Sequence, residues 1–206
     1  MTDSPDLPQG LLPERPEGFE AYYRTTPPWD IGAPQPVFAR LADAGGLRGR
    51  VLDVGCGTGE HALLAAERGC EAVGIDVAPT AIAQARAKAQ DRGLPVRFVL
   101  GDVLALPTLV DGLFDTVIDS ALFHVFSDEQ RQQFAAALAA VMSPGGIYVM
   151  VCFSDKVPGT EGPRRVSEDE IRVTFADGWA VESVEPAELI TTLMPVPAWF
   201  ATIRRT

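Results

Sequence analysis

The segment Val51-Leu52-Asp53-Val54-Gly55-Cys56-Gly57-Thr58-Gly59-Glu60 constrains this chain more than any other. A short run suited to a buried strand passes into closely spaced glycines, and the residues that follow suit a helix. Such a turn leaves bare backbone at the end of a strand, because glycine adds no Cβ and adopts dihedrals that other residues resist. That is the opening of a strand–turn–helix unit with a ligand laid against the turn.

The rest of the chain keeps the same rhythm. From Arg50 onward apolar runs alternate with helical stretches, which points to an α/β fold with a parallel sheet covered on both faces. Strands are expected at 51–54, 72–75, 96–100, 114–119, 147–153, 179–184 and 198–204. Helices are expected after Gly59, from Pro79, and from Ser127, which can cap with Gln130 reaching back. Ser167-Glu168-Asp169-Glu170 opens a brief one. Pro186, Pro195 and Pro197 rule out a crossover helix between the last two strands, so the last returns antiparallel.

Ahead of this unit, residues 1–18 carry Pro5, Pro8, Pro13 and Pro16 and read as a flexible tail. Residues 19–46 hold Phe19, Tyr22, Tyr23 and the run Thr26-Pro27-Pro28-Trp29-Asp30-Ile31, which is too apolar to float free, followed by a short helix at 36–44. They read as a lid and helix within one domain spanning 19–206, a size that suits a single core. With 22% charged residues and no apolar run long enough for a bilayer, the expectation is a cytoplasmic protein without membrane contact, a monomer or homodimer. A net charge of -11 with no basic run argues against nucleic acid as partner. Cys56, Cys70 and Cys152 are odd in number and widely spaced, so buried free thiols are expected and no metal site.

The decisive question is which nucleotide the turn holds. Dinucleotide sites prefer G-x-G-x-x-G, with a helix N-terminus facing pyrophosphate. Here Glu60 stands where the third glycine would be, and a carboxylate in the first helical turn disfavours phosphate but not a phosphate-free cofactor with a positive sulfonium. S-adenosylmethionine, leaving as S-adenosylhomocysteine, meets both conditions. Gly55, Cys56, Gly57 and Gly59 would form its cradle, and Val77 and Ser120, after the second and fourth strands, join the cofactor set. Asp76 either accepts from two ribose hydroxyls or is an N-terminal acid of the next helix. Asp102 either accepts from the adenine amino group, with the Val103 N–H facing a ring nitrogen, or is an ordinary loop aspartate. Asp53, inside a strand, must bind backbone or the cofactor's amino group.

The ordered segments 51–59, Gly74-Ile75-Asp76, Gly101-Asp102, Phe114-Asp115-Thr116-Val117-Ile118-Asp119 and Ser143-Pro144-Gly145-Gly146 resemble the motifs of class I methyltransferases. That resemblance implies a Rossmann-like three-layer sandwich, its seven-stranded sheet ordered 3-2-1-4-5-7-6 with strand seven antiparallel. More narrowly, Pro28-Trp29-Asp30-Ile31-Gly32, Pro34-Gln35-Pro36 and Leu122-Phe123-His124-Val125-Phe126 are similar to bacterial thiopurine and heterocyclic-toxin methyltransferases. There an aromatic N-terminal segment closes over the methionine end of the cofactor, a role the resemblance carries to Trp29.

Methyl transfer is an in-line displacement that asks mainly for alignment and exclusion of water. After the fourth strand the chain reads Asp119-Ser120-Ala121-Leu122, without the Asn/Asp-Pro-Pro-Tyr/Phe sequence used on poorly nucleophilic nitrogens. The expected acceptor is a small molecule with a nucleophilic thiol, hydroxyl or ring nitrogen. His124 is read either as a general base or as a core histidine held by backbone. Tyr22, Tyr23, Phe123 and Phe153 either wall an aromatic acceptor or belong to the core, and Arg164 either orients an anionic substrate or is a solvated surface residue. His61 reads as a partly exposed helical histidine. The alternatives are a non-catalytic S-adenosylmethionine-binding regulator and a nicotinamide-dependent oxidoreductase; a missing Tyr-x-x-x-Lys pattern counts against the latter.

Overall fold

A computed structural model describes residues 16–159 and 162–206. Most of the expected tail therefore lies outside the described residues, and residues 16–18 open a 3-10 helix, Pro16–Arg24. All seven strands join one sheet: β1 (Arg50–Val54), β2 (Glu71–Asp76), β3 (Arg97–Leu100), β4 (Phe114–Ser120), β5 (Met142–Phe153), β6 (Trp179–Leu189) and β7 (Val196–Arg205). Their order is β3-β2-β1-β4-β5-β7-β6, with β7 antiparallel to both neighbours, as expected.

The helices are α1 (Pro36–Asp43), α2 (Glu60–Glu67), α3 (Pro79–Arg92), α4 (Leu106–Leu109), α5 (Asp128–Val141) and α6 (Glu168–Thr174). Strand side chains alternate between two apolar layers, as a sheet covered on both faces requires. Leu52, Val117, Tyr148 and Met150 pack with Phe134 and Leu138 of α5, while Val51, Ile118, Val149 and Val151 pack with Phe38 of α1 and Leu64 of α2. Both expected capping boxes form, Ser127 with Gln130 and Ser167 with Glu170.

Three strands run longer than the sequence suggests. Pro186 and Pro197 lie inside β6 and β7 rather than between them. β6 is an edge strand, where a missing N–H leaves no ladder bond unmade, and Pro197 precedes the first β7 residue paired with β5, Ala198. β5 begins at Met142, directly after α5, with an irregular register between Phe114 and Thr116 of its neighbour. Gly146 is required there, because a Cβ would stand 2.9 Å from the Ser143 carbonyl oxygen.

The three central parallel strands β2, β1 and β4 end on one edge, which is where open α/β sheets bind ligands. Gly59, at φ 89°, turns the chain from that edge into α2, and a Cβ there would meet Phe98 at 2.7 Å and Ala85 at 2.9 Å. Gly59→Ala combines left-handed strain with overpacking and should lower unfolding free energy by about 2 to 4 kcal/mol. Urea denaturation of the variant beside the parent protein checks this; equal midpoints would contradict it.

Candidate functional site

Beyond β1 the chain passes through Gly55 at φ 67°, Gly57 at φ 52° and Gly59 before α2 begins. The turn is stitched to β2: the Cys56 N–H donates to the Ile75 carbonyl at 2.9 Å and the Gly57 N–H to Asp76 Oδ2 at 2.8 Å. A Cβ on Gly57 would lie 2.9 Å from the Tyr23 hydroxyl, so this bare backbone is what lets the lid come down. Between turn and lid lies a solvent-open cleft with about 420 Å³ of empty space, bordered by Tyr23, Trp29, Gly55, Cys56, Gly57 and Ser120 among the expected residues.

Beneath the turn sits Asp53, 1% exposed. Its Oδ2 accepts the Ala62 N–H of α2 at 3.0 Å, while its Oδ1 is sealed from solvent and without a partner. Burial, reinforced by the charges of Asp76 and Asp119, pushes its carboxyl well above the usual range. An unsatisfied buried carboxylate oxygen is costly, and a cationic donor is the group that relieves it. Asp76 is likewise buried, which raises its carboxyl although the Ala78, Gly57 and Val77 N–H groups favour its ionised form. It therefore ties the turn and the α3 start together, and each oxygen retains a lone pair for a ribose hydroxyl. Asp102 Oδ1 accepts the Leu104 N–H at 2.9 Å, capping the short turn Val103–Ala105, and Val103 itself is core.

Two expectations about the first turn of α2 are corrected. Glu60 is not an open carboxylate: it is 6% exposed and pairs with Lys88 at 2.8 Å and Arg92 at 3.0 Å, so its charge is compensated. His61 is buried rather than partly exposed, borders the cleft, and accepts the Gln35 N–H on Nε2 at 3.0 Å. The cleft also takes in Asp30, Ile31, Ala33, Gln35 and Thr58, none singled out as a site residue from the sequence. These residues latch the lid: Thr58 Oγ1 donates to Asp30 at 3.0 Å and receives from Lys88 at 2.7 Å, and the Trp29 indole donates to the Tyr23 hydroxyl at 3.2 Å. Lys88 and Arg92, four apart on α3, mark one face of that helix; in the sequence this spacing is the sole signal that Glu60 is held.

Among the expected cofactor residues Asp53, Gly59, Asp76, Val77, Asp102 and Val103 do not border this cleft, nor among the expected acceptor residues do Tyr22, Phe123, His124, Phe153 and Arg164. Phe123 is fully buried, stacked on Phe175 with the Arg131 guanidinium over its ring, so it is core rather than pocket wall. Arg164 pairs with Asp128 at 2.6 Å and with Glu170, which leaves no open fork for an anion. Tyr22 packs on Trp29 at 5.1 Å between ring centroids, behind the lid. His124 accepts the Phe153 N–H on Nδ1 at 3.0 Å and lies against the Phe153 ring. Burial, with Arg131 and Arg165 nearby, pushes its imidazole down to about 3. A neutral ring with Nδ1 occupied carries its proton on Nε2, so in this structure His124 is a donor held by backbone, the second of the two readings its sequence offered. Of the cysteines, Cys56 and Cys152 are buried free thiols, whereas Cys70 is half-buried. Among the described residues no cluster suits a metal and no helix is long and apolar enough to cross a membrane.

A family described as a methyltransferase domain matches residues 51–146. The 2-heptyl-1-hydroxyquinolin-4(1H)-one methyltransferase of Mycobacteroides abscessus is 41% identical over 182 residues, 83% of this chain and 80% of that protein. This chain belongs to the class I S-adenosylmethionine-dependent methyltransferases. A probable thiol methyltransferase of Arabidopsis thaliana is 28% identical, over 92% of this methyltransferase and 85% of the plant protein. A solved structure titled for conversion of a disulfide bond into a thioacetal group during echinomycin biosynthesis aligns with a TM-score of 0.84 and 37% identity, covering 93% of each chain. Membership excludes the nicotinamide-dependent alternative.

His61, whose imidazole burial pushes down to about 4, and His124 refuse a proton that the unfolded chain accepts below its ordinary value near 6.5. The stability they contribute is present above that value and is lost as pH falls toward 4 and 3, by up to about 1.4 kcal/mol per pH unit for each ring. His124→Asn, which keeps an acceptor for the Phe153 N–H, should make this loss shallower by one proton. Urea unfolding of both proteins from pH 7 to 4.5 checks this; parallel curves would contradict it.

Proposed function

We propose that this methyltransferase transfers a methyl group to a thiol, hydroxyl or ring nitrogen of a small aromatic or heterocyclic molecule. The observation that carries this reading is the cleft itself. Its walls are the Tyr23 and Trp29 rings, Ile31 and Ala33 with the neutral polar side chains of Gln35, Thr58, His61 and Ser120, and of the carboxylates on it Glu60 is compensated by Lys88 and Arg92 while Asp30 is paired with no cation among the described residues. Such a pocket favours a flat, weakly polar acceptor and repels phosphate. The hydroxyquinolinone and thiol methyltransferases among its relatives act, by their names, on molecules of this kind.

The residues present fit the cofactor. When bound, S-adenosylmethionine supplies a methyl group on a sulfonium that departs as a neutral thioether, so no acid is needed at the leaving group. Asp53 Oδ1 is the partner for the amino group, and it is the one unsatisfied acceptor beneath the glycine turn. Asp76 takes the ribose hydroxyls with its remaining lone pairs, and Asp102 the adenine amino group with its second oxygen. Gly55, Cys56, Gly57 and Gly59 present backbone, flanked by Val77, Val103 and Ser120. Tyr23 and Trp29, joined by a hydrogen bond and latched through Asp30 and Thr58, close the cleft against water. No side chain on the cleft is a free base, which suits an acceptor that already carries a nucleophilic lone pair.

Incubating the protein with S-adenosylmethionine and a panel of heteroaromatic hydroxyls, thiols and azoles, read by mass spectrometry, should show single methyl additions. Tight cofactor binding without transfer to any member would instead favour a non-catalytic binding protein. Asp53→Asn keeps an acceptor for the Ala62 N–H but removes the charge, and should weaken S-adenosylmethionine binding about 10- to 100-fold by calorimetry with little change in melting temperature. Unchanged affinity would overturn the role given to Asp53.

A further inference from the structure

His61 is held more firmly than its place in a first helical turn requires. Its ring meets Phe38 edge-on at 4.9 Å between centroids, and its Nε2 receives the Gln35 N–H. Gln35 is itself fixed, donating from Nε2 to the Ile190 carbonyl at 2.8 Å and accepting the Ile190 N–H on Oε1 at 2.9 Å. Three elements thus orient one imidazole: the end of the lid, α2, and the segment that follows β6.

The tautomer follows from these contacts. With Nε2 used as an acceptor and the ring kept neutral by burial, the proton resides on Nδ1. Among the described residues Nδ1 has no partner, yet it is absent from the sealed, unsatisfied polar atoms, which are Asp53 Oδ1 and Arg131 Nε and Nη2. It therefore faces open space, and the open space that His61 borders is the cleft. The result is an oriented, uncharged N–H donor on a wall that also carries Tyr23, Trp29, Ile31, Ala33, Asp30 and the Ser120 hydroxyl, while Thr58 and Gln35 are committed to Asp30 and Ile190.

We infer that His61 is an acceptor-binding residue, donating its Nδ1–H to a lone pair on a neutral or phenol-type heteroaromatic methyl acceptor. This rests on the methyltransferase reading above and adds a substrate class to it. Binding through a neutral donor beside Asp30 selects molecules with a carbonyl, hydroxyl or pyridine-like nitrogen next to the reacting atom. It disfavours acceptors bearing carboxylate or phosphate, because among the described residues no lysine or arginine borders the cleft to compensate them.

Two amide substitutions separate a donor to substrate from a merely structural ring. His61→Asn sets an amide where Nδ1 stood and abandons the Gln35 contact. His61→Gln reaches the Gln35 N–H and leaves the Nδ1 position empty. The expected result with a heteroaromatic hydroxyl acceptor is a KM raised about tenfold in His61→Gln and in His61→Ala, and largely restored in His61→Asn. The calorimetric Kd for S-adenosylmethionine should stay within about twofold throughout, and a carboxylated analogue should be a poorer substrate of the parent protein. Rescue by Gln and not Asn would make the ring structural and overturn the inference. A cofactor Kd that weakens in step with KM would assign His61 to the cofactor and overturn it equally. A parent protein that methylates nothing in the panel overturns the proposed function and this inference together, whereas turnover insensitive to all three substitutions overturns the inference alone.

Discussion

The site depends on one buried carboxylate oxygen that nothing among the described residues satisfies. Asp53 stands in the middle of β1, sealed beneath the glycine turn, with one oxygen committed to α2 and the other left over. Asp76 and Asp119 are near enough to raise its carboxyl further, so the fold concentrates negative potential at the ends of its central strands instead of dispersing it. A ligand that brings a positive charge and no phosphate relieves this arrangement; a pyrophosphate would aggravate it.

The lid answers the same field. Lys88 and Arg92 neutralise Glu60, and Lys88 also donates to Thr58, whose hydroxyl holds Asp30. Thus α3 compensates the turn on one side and latches the lid through it on the other, while Gln35 and the Thr192 N–H, donated to the Pro28 carbonyl, secure the lid to the β6–β7 connection. The cations of this region are spent on internal carboxylates, and among the described residues none borders the cleft.

Much of the fold was legible because its signals are local. Apolar runs, helix caps and glycines specify the elements and a mostly parallel sheet, the strand order came from the resemblance, and the prolines near the chain's end correctly exclude a crossover helix. Strand lengths were misjudged where Pro186 and Pro197 sit in positions that only the sheet order makes harmless. In the site, Asp53 inside β1, Asp76 at the end of β2 and the glycines between β1 and α2 were picked out from their places in the sequence, and their part in cofactor binding is the proposal made above. Glu60 and His61 were not, because their surroundings come from Lys88, Arg92 and Gln35, distant in sequence. The charge on Glu60 first pointed to a phosphate-free cofactor; with that charge compensated, the same conclusion rests on Asp53. The apolar flanks of His124 and Phe123 signalled burial, and both are buried.

The most direct measurement is a crystal structure with S-adenosylhomocysteine bound. The expected result is the adenosine lying across the glycine turn with the amino group within hydrogen-bond distance of Asp53 Oδ1. An amino group held elsewhere, with that oxygen still unpartnered, would contradict the account.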